Sequence, residues 1–199
     1  MKKNKKVNDP NILVEKQKFY ISEFEQEAAW LSFMHREGWK FVSTDGFHYR
    51  FEKAEKEDWV YELDYKENGV AEGDYIQMYR DFGWEYAGQY EHWCYFRKQR
   101  VEGEDVDTTL FGDRESKLEL CKRVVNGQFL RMLPFLLFMP SMITLVTFFK
   151  PVEYFGPILG TVLAIIFILS LCFFIVPLFI YFNQTNRLNK LIKELGGTK

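Results

Sequence analysis

Residues 37–53, EGWKFVSTDGFHYRFEK, return 45 positions later as residues 82–98, FGWEYAGQYEHWCYFRK. No other feature limits the possible folds as much. A short unit cannot bury its own apolar face, but two copies can bury theirs against each other. Gly38 aligns with Gly83, Trp39 with Trp84, Phe41 with Tyr86, Phe51 with Phe96 and Lys53 with Lys98. Upstream, Trp30 aligns with Tyr75 and Leu31 with Ile76.

Each Gly-Trp pair reads as a helix stop. Glycine enters the left-handed conformation that closes a helix, and the next apolar residue folds back on the last turn. Before Gly38, Phe24, Ala28, Leu31 and Met34 follow helical spacing, with Ser22 and Glu25 as a capping box. Trp39 is expected against Met34, and Trp84 against Tyr79. After each stop the period becomes two. Trp39, Phe41 and Ser43 form one face, then Phe47, Tyr49 and Phe51; between the copies come Trp59, Tyr61, Leu63 and Tyr65. KQKFYI, residues 16–21, reads as the opening strand. The order is strand, helix, strand, strand, written twice. The expected fold class is α+β: a tandem βαββ repeat, one antiparallel sheet with two helices on one face, followed by a two-helix transmembrane hairpin.

The hairpin rests on two uncharged runs, residues 132–149 and 157–182. Their apolar helices would span roughly 27 and 37 Å, against about 30 Å of bilayer hydrocarbon. Pro134, Pro140 and Pro177 offer kinks. Neither run holds an ionisable residue, so an ion or proton path is not indicated. Gly156, Gly160 and Ala164 are spaced for close helix packing, within the chain or between copies in a homo-oligomer. Arg114, Lys117, Lys122, Arg123 and Arg131 precede the first run, and Arg187, Lys190, Lys193 and Lys199 follow the second. Basic flanks stay inside, which implies a two-pass membrane protein with both termini cytoplasmic. No apolar run follows Lys2, Lys3, Lys5 and Lys6, so no cleaved signal is expected.

Residues 1–110 carry 16 basic and 23 acidic side chains, a net charge of −7; residues 111–199 carry 10 and 5, a net charge of +5. The acidic half argues against direct nucleic-acid binding. The expected organisation is a basic tail (1–16), a cytosolic tandem domain (17–100), an acidic linker (101–112), a juxtamembrane amphipathic helix (113–127), the hairpin (128–186) and a basic tail (187–199). Asp113 is the expected cap of the juxtamembrane helix, and Leu118, Cys121 and Val125 its apolar stripe. Lys117, Lys122, Arg123 and Arg131 would contact anionic lipid. In the last tail, Leu188, Leu191, Ile192 and Leu195 form a second amphipathic pattern.

The strings EFEQEAAWLSFMHREGWKF, YRFEKAEKEDWVYELDY, DYIQMYRDFGWEYAGQYEHWCYFRK and FGDRESKLELCKR resemble a bacterial family, Domain of Unknown Function 2812. The resemblance covers roughly residues 17–124. It implies a membrane-anchored protein of Gram-positive bacteria, often encoded beside a PadR-type regulator, and hence that the membrane is the bacterial cell (inner) membrane. The family has no established catalytic residues to carry over.

The three cysteines, Cys94, Cys121 and Cys172, form neither a disulfide framework nor a zinc motif. His92 and Cys94 share a strand face, but His35 and His48 have no matching spacing, so neither metal nor cofactor is expected. Glu52, Glu62, Asp64 and Glu85 read as a charged outer sheet face. No nucleophile triad, phosphate loop or HExxH motif appears, so catalysis is not expected. Strand 93–99 carries aromatics in both registers, which makes Tyr90, Trp93, Tyr95 and Arg97 a candidate ligand or partner platform. The expected role is a membrane-anchored recognition or sensor module for a protein or small ligand. A PadR-type regulator or another membrane protein is the candidate partner. The alternatives are an accessory or immunity-type protein acting through its spans, and a membrane-bound enzyme.

Overall fold

The computed structural model describes residues 9–67, 69, 71–100, 110, 114–149 and 151–196, without the side chains of 135–155, 163, 164, 167, 168 and 170–174. Two compact units divide the chain, residues 1–123 and 124–199.

In the first unit the order strand, helix, strand, strand occurs twice: β1 (Ile12–Lys16), α1 (Phe24–Arg36), β2 (Trp39–Thr44) and β3 (His48–Lys53), then β4 (Trp59–Tyr65), α2 (Gly73–Asp81), β5 (Glu85–Tyr90) and β6 (Trp93–Gln99). The protein is α+β, with two three-stranded antiparallel sheets rather than the single sheet expected. Their orders are β1-β3-β2 and β4-β6-β5, so the last strand of each copy is central. The two sheets approach where Phe41 of β2 meets Tyr95 of β6, ring centroids 4.9 Å apart. β2 and β5 both carry a register shift: Val42 is the extra residue in one and Ala87 in the other. These positions are again 45 apart. A bulge on each facing edge interrupts the ladder that would merge the sheets.

β1 begins earlier than expected. It pairs with β3 from Ile12↔Glu52 to Lys16↔His48, so part of the assigned N-terminal tail belongs to the sheet. The register is fixed by backbone bonds just beyond each end, Lys53 N–H to Asn11 at 2.8 Å and Gln17 N–H to Phe47 at 3.0 Å. Phe19 then leaves the strand and packs its ring on Trp30 and Tyr49.

A single 3₁₀ turn, Ile21–Glu23, leads into α1. Its capping carboxylate is Glu23, which accepts the Tyr20 N–H at 3.0 Å; Glu25, expected in that role, pairs with Lys117 instead. Both helices end at a glycine with positive φ, Gly38 at 91° and Gly83 at 79°. At the second stop the Trp84 N–H reaches Tyr79 at 3.0 Å and the Gly83 N–H reaches Arg80 at 2.9 Å, the paired bonds of a Schellman cap. Trp84 packs in one cluster with Tyr79, Cys94 and Phe96.

The helices lie on opposite faces of the second sheet, not on one. α1 sits between the sheets: Trp30 packs on Tyr49 and Phe51, while Phe24 stacks on Trp93. α2 covers the other face, with Tyr79 against Phe96 at 4.2 Å. Alternate strand residues point to opposite faces, so β6 is buried on both, Trp93 and Tyr95 toward α1, Cys94 and Phe96 toward α2. The first sheet has one solvated face, with His48, Arg50 and Glu52 exposed.

α3 (Arg114–Phe149) and α4 (Pro151–Gly196) follow. Asp113 and residues 101–109 lie outside the described residues, as do the tails 1–8 and 197–199. At the start of α3 the buried residues are Leu120, Cys121 and Val124, a stripe shifted from the expected Leu118, Cys121 and Val125. In the second unit Thr185 donates to the Gln128 amide oxygen at 3.4 Å. Leu188 is buried and Leu191, Ile192 and Leu195 are half-buried, as that amphipathic pattern requires. Gly156 is non-helical (φ 76°, ψ 171°) and kinks α4 just before Pro157. It therefore cannot take part in a helical small-residue stripe. Gly160 is buried, and the Ala164 side chain lies outside the described residues. Among the described residues no helix is long and apolar enough to cross a membrane. The expected hairpin is therefore carried by the sequence alone, and the side chains at the centre of both its runs are outside the description.

Candidate functional site

Two buried carboxylates organise the first unit. Glu27 falls on the inner face of α1, one turn from Phe24 and from Leu31, and is 8% exposed. Its Oε1 accepts the hydroxyls of Tyr49 and Tyr95, each at 2.7 Å. Burial raises its pKa, and the two phenol bonds oppose that rise. Burial and the adjacent Glu27 raise both phenols in turn.

Asp64 on β4 is 1% exposed. Its Oδ2 accepts Tyr75 OH at 2.6 Å and Tyr79 OH at 2.8 Å. Its Oδ1 accepts the Tyr65 N–H and the Arg123 guanidinium, both at 2.8 Å. Arg123 also donates to the Tyr65 carbonyl at 3.0 Å. The expectation of an outer, solvated Asp64 is thus corrected: α2 and α3 cover that face of β4.

His35 is also buried, with Nδ1 2.9 Å from Tyr61 OH and its ring stacked on Trp59. Burial lowers its pKa to about 4; Arg97 and Lys40 act in the same sense, and Glu57 and Glu85 oppose.

The expected platform is not an open surface. Trp93 and Tyr95 are 9% and 2% exposed. Tyr90 lies over the β2–β3 turn, so close that a Cβ at Gly46 would fall 2.7 Å from its hydroxyl. Arg97 gives Glu85 two bonds, at 3.0 and 2.8 Å, and lies over the Trp59 ring. The residues proposed for lipid contact also divide. Arg123 is bound to Asp64 and Lys117 to Glu25, whereas Lys122 and Arg131 are exposed. His92 Nδ1 lies 2.9 Å from the Lys66 carbonyl. Burial pushes the Cys94 thiol up to about 11. Among the described residues no group of His, Cys, Asp and Glu is arranged to hold a metal.

A cavity of about 310 Å³ lies elsewhere, between α1, the edge of β4 and the start of α3. Phe24, Ala28, Ala29 and Val60 form its apolar wall, and Glu25, Glu62 and Lys117 its charged lining. Ser32 at its floor donates to the Ala28 carbonyl at 2.9 Å and accepts the Tyr61 N–H at 2.8 Å, closing one gap in the β4 edge. Glu62 differs from the other two carboxylates. It lines the cavity, accepts no hydrogen bond among the described residues, and its oxygens are not fully buried. Burial pushes its pKa up to about 7; Lys117 opposes the rise and Glu25 adds to it.

The sequence model of a family described as Protein of unknown function (DUF2812) matches residues 23–133. The chain belongs to this family. The DUF2812 match contains both helices, β2 to β6 and every residue of the cavity. No curated protein and no solved structure matches the chain.

Glu27 is not among the residues that sequence pattern singled out, although its helical spacing with Phe24, Leu31 and Met34 is a signal that places a carboxylate on the buried face. For Glu62 the signal is weaker: it alternates correctly on β4, but its neighbours Glu25 and Lys117 come from distant segments.

Proposed function

We propose that this DUF2812 protein is a membrane-anchored, non-catalytic recognition module whose first unit binds a small ligand in the groove between α1, β4 and α3. The observation that carries the reading is Glu62, a half-buried carboxylate without a hydrogen-bond partner among the described residues, at the mouth of an apolar cavity. Among the described residues no fully buried side-chain polar atom lacks a partner, so a half-buried carboxylate without one in a cavity favours a binding position. The volume lies at the low end of small-molecule pockets, about 300–1,000 Å³. Internal duplication accounts for the architecture, each βαββ copy supplying the face the other buries.

Anchorage is supported by the two uncharged runs and by large apolar side chains turned outward along α4. Ile158, Leu169 and Phe179 are 83%, 64% and 73% exposed, a surface that water penalises and hydrocarbon accepts. The basic flanks favour cytoplasmic termini. α3 runs from Arg114 to Phe149, from the first unit into the first uncharged run. A regulatory role beside a PadR-type partner follows the family resemblance.

Two measurements test the reading. The full chain should remain with membranes after an alkaline wash and leave only with detergent; release by the wash rejects anchorage. Ala29 is exposed at the groove, so Ala29→Trp should fill it without disturbing the core. Native mass spectrometry after exposure to a cytosolic metabolite extract should show an adduct on the wild type that Ala29→Trp loses. An adduct that survives the substitution, or none on either protein, rejects the groove.

A further inference from the structure

We infer that the groove takes a small organic monocation, an ammonium or guanidinium on a short hydrocarbon body, with Glu62 as its counter-ion. This deepens the recognition reading and rests on it.

The argument begins with satisfaction. Glu27 has two phenol donors, and Asp64 has two phenols, a backbone N–H and a guanidinium. Glu25 is paired with Lys117. Glu62 is desolvated, Lys117 offsets that only in part through space, and no donor among the described residues bonds it. A neutral donor could bond it but would leave its charge uncompensated. An anion would meet two carboxylates and one ammonium. A single positive charge balances the lining, whose formal charge is −1 with Glu25, Glu62 and Lys117 ionised. The shape of the guest follows from the walls. Phe24, Ala28, Ala29 and Val60 offer no hydrogen-bonding side chain, and the hydroxyls of the other two lining residues are already engaged, Ser32 with Ala28 and the Tyr61 N–H and Tyr61 with His35, so the body beyond the charge is hydrocarbon. Selectivity would come from repulsion as well as attraction: Lys117 at the rim disfavours a second positive charge.

The test uses the full chain in lipid nanodiscs with ¹³C-methyl alanine, at about pH 8 so that Glu62 is ionised. Butylammonium, butan-1-ol and butyrate serve as probes of equal length. Butylammonium should shift the Ala28 and Ala29 methyl resonances saturably. The alcohol should bind about tenfold more weakly or worse, the loss expected for one charge-assisted hydrogen bond, and butyrate should not bind. Glu62→Gln should weaken butylammonium by a similar factor with the other alanine resonances unmoved; Glu62→Asp, which keeps the charge, should fall between. Saturable binding of the alcohol or butyrate as tight as that of the amine, or amine binding unchanged in Glu62→Gln, overturns the cation assignment while leaving the groove a binding site. If no probe shifts either methyl saturably, both the assignment and the recognition reading fail.

Discussion

Tyr49 and Tyr95 belong to different sheets and donate to the same oxygen of Glu27, each at 2.7 Å. One carboxylate on α1 thereby joins the two halves of the duplication. The bond pattern predicts how substitutions rank. Glu27→Ala removes the shared acceptor and leaves two buried hydroxyls unpaired, at about 1–3 kcal/mol each. Glu27→Gln keeps an acceptor and removes the buried charge. Because burial raises the Glu27 pKa, the folded state holds its proton more tightly than the unfolded chain. Its contribution is therefore fully present below the ordinary carboxylate value and is lost as pH rises through the raised one. Glu27→Gln should match the wild type in acid and equal or exceed it at higher pH. Denaturant unfolding across that range checks both substitutions; a Gln variant progressively less stable with rising pH would refute the account.

Asp64 and Arg123 form the second junction, between β4 and the helix that leaves the unit. Removing one partner of a buried pair leaves a stranded charge, which typically costs about 3–5 kcal/mol. Arg123 is about one-third exposed, so water screens part of that, and about 1–3 kcal/mol is expected for Arg123→Met. Adding Asp64→Asn should recover part of the loss. A double-mutant cycle measures the coupling, and a value under about 0.5 kcal/mol would make the pair independent.

Sequence pattern reached the helix stops because a positive φ at Gly38 and Gly83 is a local demand that glycine meets. It reached the strands because alternation is local too. It could not say which face of a strand is covered. Trp93 and Tyr95 looked like an exposed platform because Cys94 and Phe96 seemed sufficient for one core; in the fold α1 covers one face of β6 and α2 the other. Asp64 looked solvated for the same reason. Its donors Tyr75 and Tyr79 are one helical turn apart, a visible pair, but Arg123 stands 59 positions away. The β1 register depended on backbone bonds to β3, for which KQKFYI carries no mark.

His35 supplies a pH dependence of opposite sign. Its folded pKa falls from 6.5 to about 4, so the native state holds the ring neutral while the unfolded chain charges it. Stability from this residue is present above the unfolded value and is lost as pH falls from about 6.5 toward 4, by up to about 3 kcal/mol. The ring's Cε1 proton should still report a neutral imidazole at about pH 5.5, where an ordinary histidine is largely charged. His35→Gln, which can keep a bond to Tyr61, should flatten this acid limb of the stability profile. A ring that titrates near its ordinary value would remove the prediction's basis.

The two helix stops should not tolerate alanine equally. Both glycines have positive φ, so Gly38→Ala and Gly83→Ala share a backbone cost of about 1–2 kcal/mol. Their surroundings differ. A Cβ at Gly83 would lie 3.3 Å from the end of the Lys98 side chain, which can swing away. At Gly38 it would lie 3.2 Å from the Ala54 carbonyl oxygen. That backbone is fixed, because the Ala54 N–H donates to the Gly38 carbonyl at 2.8 Å. Gly38→Ala should therefore be the more destabilising, with the excess traceable to the β3–β4 connection. Thermal unfolding of the two variants gives the order directly, and amide exchange at Ala54 should rise only in Gly38→Ala. Equal losses would mean that φ alone sets the cost and that the repeat's two stops are equivalent in packing as well as in sequence.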